Sequence, residues 1–148
     1  MLKYVNKLNF FKNKKENVVV IGMGYVGFPL ACAIARNKKY NVYGLDLDKS
    51  KINKIKQKLS PIQDSQASID IKTVKLNATT NSNVLKKAKY ILICVPTPID
   101  HNKNPDLTPV RKATQSIKKY LQNGQYIVLE STVNPGVCEE CIQPILES

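Results

Sequence analysis

The chain has 148 residues, of which 43% are hydrophobic and 23% charged, and its formal net charge is +12. Length and composition predict a single globular domain and exclude a disordered or collagen-like chain. No apolar run approaches the ~20 residues that cross a bilayer. The lysine-rich N-terminus lacks the apolar region and cleavage site of a secretory signal. We therefore expect a cytoplasmic protein without a membrane partner.

The positive charge is unevenly distributed along the chain. Residues 1–58 contain 13 lysines and arginines and three acids, whereas residues 59–148 contain ten and eight. Much of the excess lies in residues 1–16 and in the segment 48–58, where lysines alternate with apolar residues without interleaved aromatic side chains. This distribution argues against a compact nucleic-acid-binding patch and predicts a solvated helix face with a modest attraction for anionic ligands.

The elements in chain order begin with a basic leader, residues 1–16. Its apolar residues recur at helical spacing and predict a short amphipathic helix that packs on the domain or on a second subunit. The residues on this apolar stripe are Leu2, Val5, Leu8 and Phe11. Strands are then predicted at 17–21, 41–46, 75–80, 90–95 and 125–130. Helices are predicted at 25–37, 48–59, 83–88, 110–122 and from 137 onward.

This alternation of apolar strands with helices predicts an α/β domain over residues 17–148, with a doubly wound parallel sheet. Residues 60–70 contain proline and polar residues that break the pattern, so no element is predicted there. Thr108 is predicted to cap the next helix, with Pro109 at its first position. Pro144 is predicted to disturb the last helix.

A glycine cluster follows the first predicted strand directly. Gly22, Gly24 and Gly27 form the pattern G-x-G-x-x-G at the start of a helix. In such a turn the first glycine permits the tight bend, the second lets a pyrophosphate approach the backbone, and the third lets the helix pack closely on the strand. The N–H groups and partial positive charge at the helix N-terminus then face the phosphates.

Asp46 ends the second predicted strand, 19 residues after Gly27, where a dinucleotide-binding unit places an acid for the ribose hydroxyls. Together these features predict a Rossmann-type domain that binds a dinucleotide. A carboxylate at the ribose favours NAD, because it repels the 2′-phosphate of NADP. Lys49 and Lys51 lie close enough in sequence to weaken that repulsion.

Ligands in such sheets lie beyond the carboxyl ends of the strands. The fourth predicted strand ends at Val95, Pro96 and Thr97, and we expect the Thr97 hydroxyl to face the crevice. The fifth ends in an acid and two hydroxyls, at Glu130, Ser131 and Thr132. Ordinary turn chemistry is the alternative explanation for the serine and threonine.

The four cysteines are predicted to be reduced thiols. Cys32 and Cys94 lie in apolar segments and are expected to be core residues. Cys138 and Cys141 form a C-x-x-C pattern, but a zinc site would need further ligands and the single histidine, His101, is in a distant loop. No metal site is therefore predicted; a structural role is favoured for this pair, and a redox role is left open.

These motifs resemble the N-terminal NAD-binding domain of the UDP-glucose/GDP-mannose dehydrogenase family, the nucleotide-sugar 6-dehydrogenases. The resemblance covers nearly the whole chain after the leader, and the loop VPTPID…NPDLTPV is typical of the branch that acts on UDP-N-acetylhexosamines, above all UDP-N-acetylglucosamine 6-dehydrogenases. UDP-glucose is the alternative substrate. The segments that carry the resemblance are IGMGYVGFPLA (21–31), GLDLDKSKI (44–52), CVPTPID…NPDL (94–107) and LESTVNPGVCEE (129–140).

The resemblance implies an enzyme that oxidises C6 of a UDP-sugar twice, to a carboxylate, and reduces two NAD molecules. It implies these sites: Gly22, Gly24, Tyr25, Val26 and Gly27 at the pyrophosphate; Asp46 and Lys51 at the adenosine ribose; Val95, Pro96, Thr97 and Ser131 along the crevice; Thr132 near the nicotinamide, where it helps hold the catalytic water; and Glu130 in an auxiliary role. Val137 departs from the threonine or cysteine common after the Pro-Gly turn.

The family's nucleophilic cysteine lies in a Gly-Gly-x-Cys-like motif that this chain does not contain. We therefore expect the chain to bind NAD without oxidising sugar, as the N-terminal part of a longer enzyme that is a homodimer or larger. Most of the UDP-sugar contacts would belong to that missing part. A stand-alone, non-catalytic dinucleotide-binding module is the alternative from another class, and a basic nucleic-acid binder is a third.

Overall fold

A computed structural model describes residues 15–99 and 105–148 of the chain. Five parallel strands form one sheet in the order β3-β2-β1-β4-β5, so the chain starts in the middle and winds outward in both directions. The strands are β1 (Glu16–Ile21), β2 (Tyr40–Leu45), β3 (Leu76–Thr79), β4 (Tyr90–Ile93) and β5 (Tyr126–Leu129). This order confirms the predicted doubly wound parallel sheet, because a right-handed crossover places helices on opposite faces of the two halves.

The connecting helices complete the three layers. The helices are α1 (Gly27–Arg36), α2 (Lys49–Lys56), α3 (Ser65–Thr73), a 3₁₀ helix (Ser82–Lys87), α4 (Thr108–Lys118), a π-helical segment (Cys138–Ile142) and α5 (Gln143–Glu147). None of the helices within the described residues is long and apolar enough to cross a membrane.

The period-2 alternation of side chains divides the core between the two faces of the sheet. Val18 and Val20 of β1 belong to the cluster under α1, α2 and α3. Val19 and Ile21 belong to the opposite cluster, which α4 covers with Val110, Ala113 and Ile117. Both faces of β1 are buried, which explains its continuous apolar run.

Helix α3 was not predicted, and the expectation of no element over residues 60–70 is wrong. Asp64 accepts a hydrogen bond from the N–H of Ala67 at 2.6 Å and so caps the helix. Asp70 of α3 is buried and ion-paired with Arg36 of α1. The hydrogen bond from Gln66, followed by the Arg36 pair, holds the pKa of Asp70 below its ordinary value against the opposing effect of burial.

The starts of α4 and α5 can be compared with two further predictions. The predicted cap at Thr108 is wrong, because Asp106 Oδ1 accepts the Thr108 N–H at 2.8 Å and α4 already begins at Thr108. The disturbance expected at Pro144 is confirmed, because a π-helical segment precedes α5 and Pro144 lies in the first turn of α5. The predicted leader helix falls on residues 1–14, outside the described residues.

Candidate functional site: the crevice at the carboxyl ends of the strands

The glycine turn between β1 and α1 has the tight geometry that the sequence predicts. Gly22 has φ +96°, which favours glycine, and its N–H donates to the carbonyl oxygen of Leu45 at 2.8 Å. A Cβ at Gly22 would lie 2.5 Å from the carbonyl oxygen of Cys94, and a Cβ at Gly27 would overlap the carbonyl oxygen of Gly22. Both positions therefore require glycine for packing alone.

Gly24 differs from the other two glycines of the turn. A Cβ there would meet no atom within 4 Å, so the folded chain itself gives no reason for glycine. The neighbouring side chains Tyr25 and Val26 are exposed, and α1 begins directly after them with no side-chain cap and no acid in its first turn. An open approach to the backbone at an uncapped helix N-terminus fits a bound pyrophosphate.

Asp46 joins the glycine turn to the start of α2. Its Oδ2 accepts the N–H of Met23 at 2.7 Å, and its Oδ1 accepts the N–H of Asp48 at 2.9 Å. The ammonium group of Lys51 lies 3.6 Å from Oδ2. A carboxylate has about four lone-pair sites, and the two backbone N–H groups leave acceptor capacity for the two hydroxyls of a ribose.

A cavity of about 390 Å³ lies beside this carboxylate. Three regions that the sequence predicts to bind the cofactor contribute to its wall: the glycine turn, the end of β2 and the loop after β4. The predicted residues that line it are Gly22, Asp46, Lys51, Val95 and Pro96. The surface that these side chains present to the cavity is mostly apolar and fits the flat adenosine half of a dinucleotide.

The loops after β4 and β5 are tied to each other. The Thr97 hydroxyl donates to the carbonyl oxygen of Thr132 at 2.7 Å, so in the structure it connects the two loops instead of facing an open crevice. The Ser131 hydroxyl donates to the carbonyl oxygen of Val95 at 2.7 Å. Glu130 is exposed at the end of β5, and its N–H donates to the carbonyl oxygen of Ile93. Thr97, Ser131 and Thr132 lie together, but they do not line the described cavity, and neither does Glu130.

Cys32 and Cys94 are buried, and burial raises the pKa of each thiol to about 11. A thiolate nucleophile requires a lowered pKa and access, so neither cysteine fits that role. Cys138 is exposed, Cys141 is buried and both are free thiols. The described residues contain no cluster of three potential metal ligands.

The cavity also has a wall that the sequence analysis did not assign to the site. It comes from α4 and the loop before it, with a contribution from the 3₁₀ helix; its polar members are Ser82, Asp106, Thr108, Lys112 and Ser116. The signal was present in the sequence, since polar residues recur at 108, 112 and 116 on one face of a helix. The hydrogen bonds of Thr108 with Asp106 lower the pKa of that carboxyl, which keeps an acid ionised at the cavity wall.

Comparison with known proteins places this site in a family. The UDP-N-acetyl-D-glucosamine 6-dehydrogenase of Pseudomonas aeruginosa is 40% identical over 134 residues, which is 90% of this chain and 31% of that protein. The UDP-N-acetyl-D-mannosamine dehydrogenase of Methanocaldococcus jannaschii is 35% identical, over 84% of this chain and 30% of that protein. The chain thus spans about a third of the length of these relatives.

Solved structures agree with the sequence comparison. The GDP-mannose dehydrogenase of Pseudomonas aeruginosa, solved as a ternary complex, superposes with a TM-score of 0.82 at 27% identity, over 88% of this chain and 31% of that one. The model of the NAD binding domain of the UDP-glucose/GDP-mannose dehydrogenase family matches residues 16–148. That match includes the glycine turn, Asp46 and the tied loops, and the cofactor is accordingly NAD. The chain belongs to the UDP-glucose/GDP-mannose dehydrogenase family and forms its NAD binding domain.

Proposed function

We propose that this domain serves an NAD-dependent nucleotide-sugar 6-dehydrogenase that converts a UDP-N-acetylhexosamine to its uronic acid for polysaccharide synthesis. UDP-N-acetylglucosamine is the first candidate substrate, since the relative at 40% identity bears that name. The observation that carries the proposal is the Asp46 carboxylate, fixed by two backbone N–H groups between the glycine turn and α2 at the wall of the cavity.

The residues of the crevice have distinct roles in this proposal. Gly24 and the N-terminus of α1 receive the pyrophosphate, and Asp46 accepts hydrogen bonds from the adenosine ribose, with Lys51 beside it. NAD, when bound, supplies the hydride acceptor for oxidation at C6 of the sugar. Val95 and Pro96 contribute apolar wall along the cavity.

Thr132 is proposed to help hold the catalytic water, with Glu130 in an auxiliary role. The hydrogen bond between the Thr97 hydroxyl and the backbone of Thr132 supports this, because it fixes the loop that carries Thr132 against the loop after β4. Positioning of this kind lowers the entropic cost of holding a water in a productive place.

The chain by itself is proposed to bind NAD without oxidising sugar. Covalent oxidation of the aldehyde needs an accessible, activated thiol. Cys32 and Cys94 are buried with pKa values of about 11, and neither is such a group. The longer enzyme is proposed to be a homodimer or larger. Four free thiols are consistent with a reducing compartment such as the cytoplasm.

Isothermal titration calorimetry of NAD into the 148-residue chain tests the proposal through Asp46→Asn. This change keeps the shape of the side chain and removes its charge, but the amide NH2 also replaces one of the two oxygens that accept the N–H groups of Met23 and Asp48, so circular dichroism first checks that the variant is folded. Hydrogen bonds to charged groups contribute about 1.5–3 kcal/mol, so we expect affinity for NAD to fall roughly 10- to 100-fold. Affinity for NADP should fall less, because the repulsion of its 2′-phosphate is also removed.

Asp48→Asn is the matched control. It removes the same charge two residues away and preserves the cap of α2, since asparagine caps as well as aspartate. Equal losses of NAD and NADP affinity in Asp46→Asn, or equal effects of the two variants, would remove Asp46 from the ribose.

A second assay addresses the reaction. The chain is mixed with NAD and either UDP-N-acetylglucosamine or UDP-glucose, and the absorbance of reduced nicotinamide is followed. We expect no reduction with either sugar while calorimetry still shows NAD binding. Steady turnover with one of them would contradict the proposed need for a nucleophile outside this chain.

A further inference from the structure

The wall of the cavity that faces Asp46 carries an acid and a lysine. Asp106 lies in the loop just before α4, Lys112 lies in the second turn of α4, and both line the cavity. Asp46 lines it from the end of β2, on the other side. A ligand whose ribose is held at Asp46 therefore extends its other end toward Asp106 and Lys112.

The Asp106 carboxylate is held in place by its neighbours. Its Oδ1 accepts the N–H of Thr108 at 2.8 Å, and the Thr108 hydroxyl also hydrogen-bonds to the carboxylate. The N–H of Asp106 donates to the carbonyl oxygen of Pro98 at 2.7 Å, which fixes its backbone against the loop after β4. The bond from the Thr108 hydroxyl, followed by the backbone bond, lowers the pKa of Asp106, so the group is an ionised acceptor at neutral pH.

Asp106 retains acceptor capacity after these bonds are made. A carboxylate has about four lone-pair sites, and the two groups of Thr108 occupy only part of them. Neither Asp106 nor Lys112 forms an ion pair among the described residues, although the charge of Lys112 is close enough to contribute to the lowered pKa of Asp106. A group that only accepts hydrogen bonds and a group that only donates them thus lie near each other on one wall.

Leu47 supplies a separate observation at the same cavity. It follows Asp46 directly, it is 86% exposed, and it lines the cavity together with Val95 and Pro96. A leucine left in water at a cavity wall gains free energy when a flat apolar surface covers it. A ring that lies against Leu47 has its faces in contact with apolar side chains, and its polar edge is then left to meet the wall formed by α4.

The acid and the lysine match one edge of adenine. The 6-amino group of adenine is a hydrogen-bond donor, and ring nitrogen N7 beside it is an acceptor. The 6-amino group also lies on the side of the base remote from the sugar, so a ribose held at Asp46 directs it to the opposite wall. Hypoxanthine, like guanine, presents two acceptors on this edge, N7 and a carbonyl oxygen, and would leave the Asp106 carboxylate without a donor.

We propose that Asp106 and Lys112 make the cofactor site specific for adenine, with the Asp106 carboxylate accepting from the 6-amino group and the Lys112 ammonium donating to N7. This inference rests on the proposed placement of the ribose at Asp46. Ser82 and Ser116 also line the cavity, but a hydroxyl both donates and accepts and so fits either base. The choice between adenine and hypoxanthine therefore depends on the acid, while the lysine contributes affinity for both.

Isothermal titration calorimetry with two dinucleotides tests the proposal. NAD is compared with nicotinamide hypoxanthine dinucleotide, in which a carbonyl oxygen replaces the 6-amino group of the base while the ribose, the pyrophosphate and the nicotinamide are unchanged. An acceptor that faces another acceptor loses its hydrogen bond and its solvation together. We therefore expect the 148-residue chain to bind NAD roughly 5- to 50-fold more tightly than the hypoxanthine dinucleotide.

Asp106→Asn is the diagnostic variant. Its amide oxygen can still accept the Thr108 N–H, while its NH2 replaces an acceptor with a donor, so the preference for NAD should fall to about twofold or less, or reverse. Asp64→Asn, the same substitution at the cap of α3 and away from the cavity, should leave the preference unchanged.

Two further variants complete the series. Asp106→Ser keeps a hydroxyl that can accept the Thr108 N–H but is too short to reach the base, so it should also abolish the preference if the asparagine variant is poorly folded. Lys112→Met should weaken both dinucleotides by a similar factor, about 3- to 10-fold, because both carry N7. Lys119→Met, just past the end of α4 and away from the cavity, is its control.

Two results would overturn the proposal. The first is an unmodified chain that binds the two dinucleotides within about twofold of each other. The second is an Asp106→Asn chain, folded by circular dichroism, that keeps the preference for NAD or changes it no more than Asp64→Asn does. Titration of Asp46→Asn with NAD and NADP in the same series separates this inference from the ribose placement. The expected effect there, with an unchanged base preference in Asp106→Asn, removes Asp106 alone, whereas no NAD binding by the unmodified chain overturns both.

Discussion

Substitution of Gly24 distinguishes a glycine that the fold requires from a glycine that only cofactor binding requires. In the folded chain a methyl group at this position meets nothing within 4 Å, and Gly24 does not have positive φ. Alanine is therefore compatible with the native backbone. Because alanine also reduces the freedom of the unfolded chain, Gly24→Ala should raise the free energy of unfolding by about 0.4–1 kcal/mol.

The size of the thermal effect follows from the length of the chain. An unfolding entropy of about 2.1 cal/mol/K per residue gives about 0.3 kcal/mol/K for this domain, so Tm should rise by about 1–3 °C. The same methyl group lies where we propose that the pyrophosphate approaches the backbone. Overpacking of that kind costs about 1–3 kcal/mol, which corresponds to a loss of NAD affinity of about 5- to 150-fold.

Gly27→Ala is the matched comparison, since it makes the same chemical change three residues away. Its Cβ would overlap the carbonyl oxygen of Gly22 inside the turn. We expect it to lower the free energy of unfolding by about 1–3 kcal/mol and Tm by about 3–10 °C. Differential scanning calorimetry and NAD titration on both variants give the two readouts independently.

Gly24→Ala and Gly27→Ala should therefore change the free energy of unfolding in opposite directions, and Gly24→Ala should lose NAD affinity without losing stability. A Gly24→Ala chain that binds NAD within about twofold of the unmodified chain would refute the assignment of Gly24 as the point of approach. A Gly24→Ala chain that melts as early as Gly27→Ala would show that the turn itself requires glycine there.

Two further predictions concern titrating groups. Cys32 and Cys94 have pKa values of about 11, so at pH 8 about one in a thousand of these groups is a thiolate. Both should therefore resist a thiol reagent at pH 8, while the exposed Cys138 reacts quickly. Prompt labelling of either buried thiol in the folded chain would contradict their burial. Asp70 has a pKa lowered in the folded state, so its contribution to stability is present above the unfolded pKa near 4 and is lost as pH falls through the folded value. The difference in stability between the unmodified chain and Asp70→Asn, measured by urea unfolding, should therefore be largest above about pH 4 and shrink in acid; a difference that grows in acid would contradict the sign.

The sequence predicted the sheet well because its strands are apolar on both faces and end in recognisable signals. All five strands were placed within one or two residues, and the glycine turn, Asp46 and the end of β4 with Val95 and Pro96 were placed at the cavity. Helix α3 was missed because its apolar face is short and its start signal, Asp64, follows a polar turn that contains Pro61. A capping residue acts through one hydrogen bond, so in a sequence it is hard to tell from the other polar residues around it.

The remaining part of the site could not be read from the sequence because it depends on which elements meet in space. Thr108, Lys112 and Ser116 appear as the polar face of an ordinary surface helix, and only the sheet order places that face across the cavity from Asp46. The Thr97 hydroxyl was expected to face the crevice, but it donates a hydrogen bond to the backbone carbonyl oxygen of Thr132, 35 residues later in the chain.

The net charge of +12 is not accounted for by cofactor binding. NAD is anionic, yet the crevice proposed to hold it pairs two acids, Asp46 and Asp106, with two lysines at 51 and 112, so the proposed attraction for its phosphates comes from backbone N–H groups and the N-terminus of α1. Arg36, Lys75 and Lys87 lie near the amino ends of the strands, at the other end of the sheet from this crevice. The glycine turn thus offers backbone dipoles to the pyrophosphate while the side-chain charges around the cavity cancel, so the excess positive charge of the chain lies on residues outside the cofactor site.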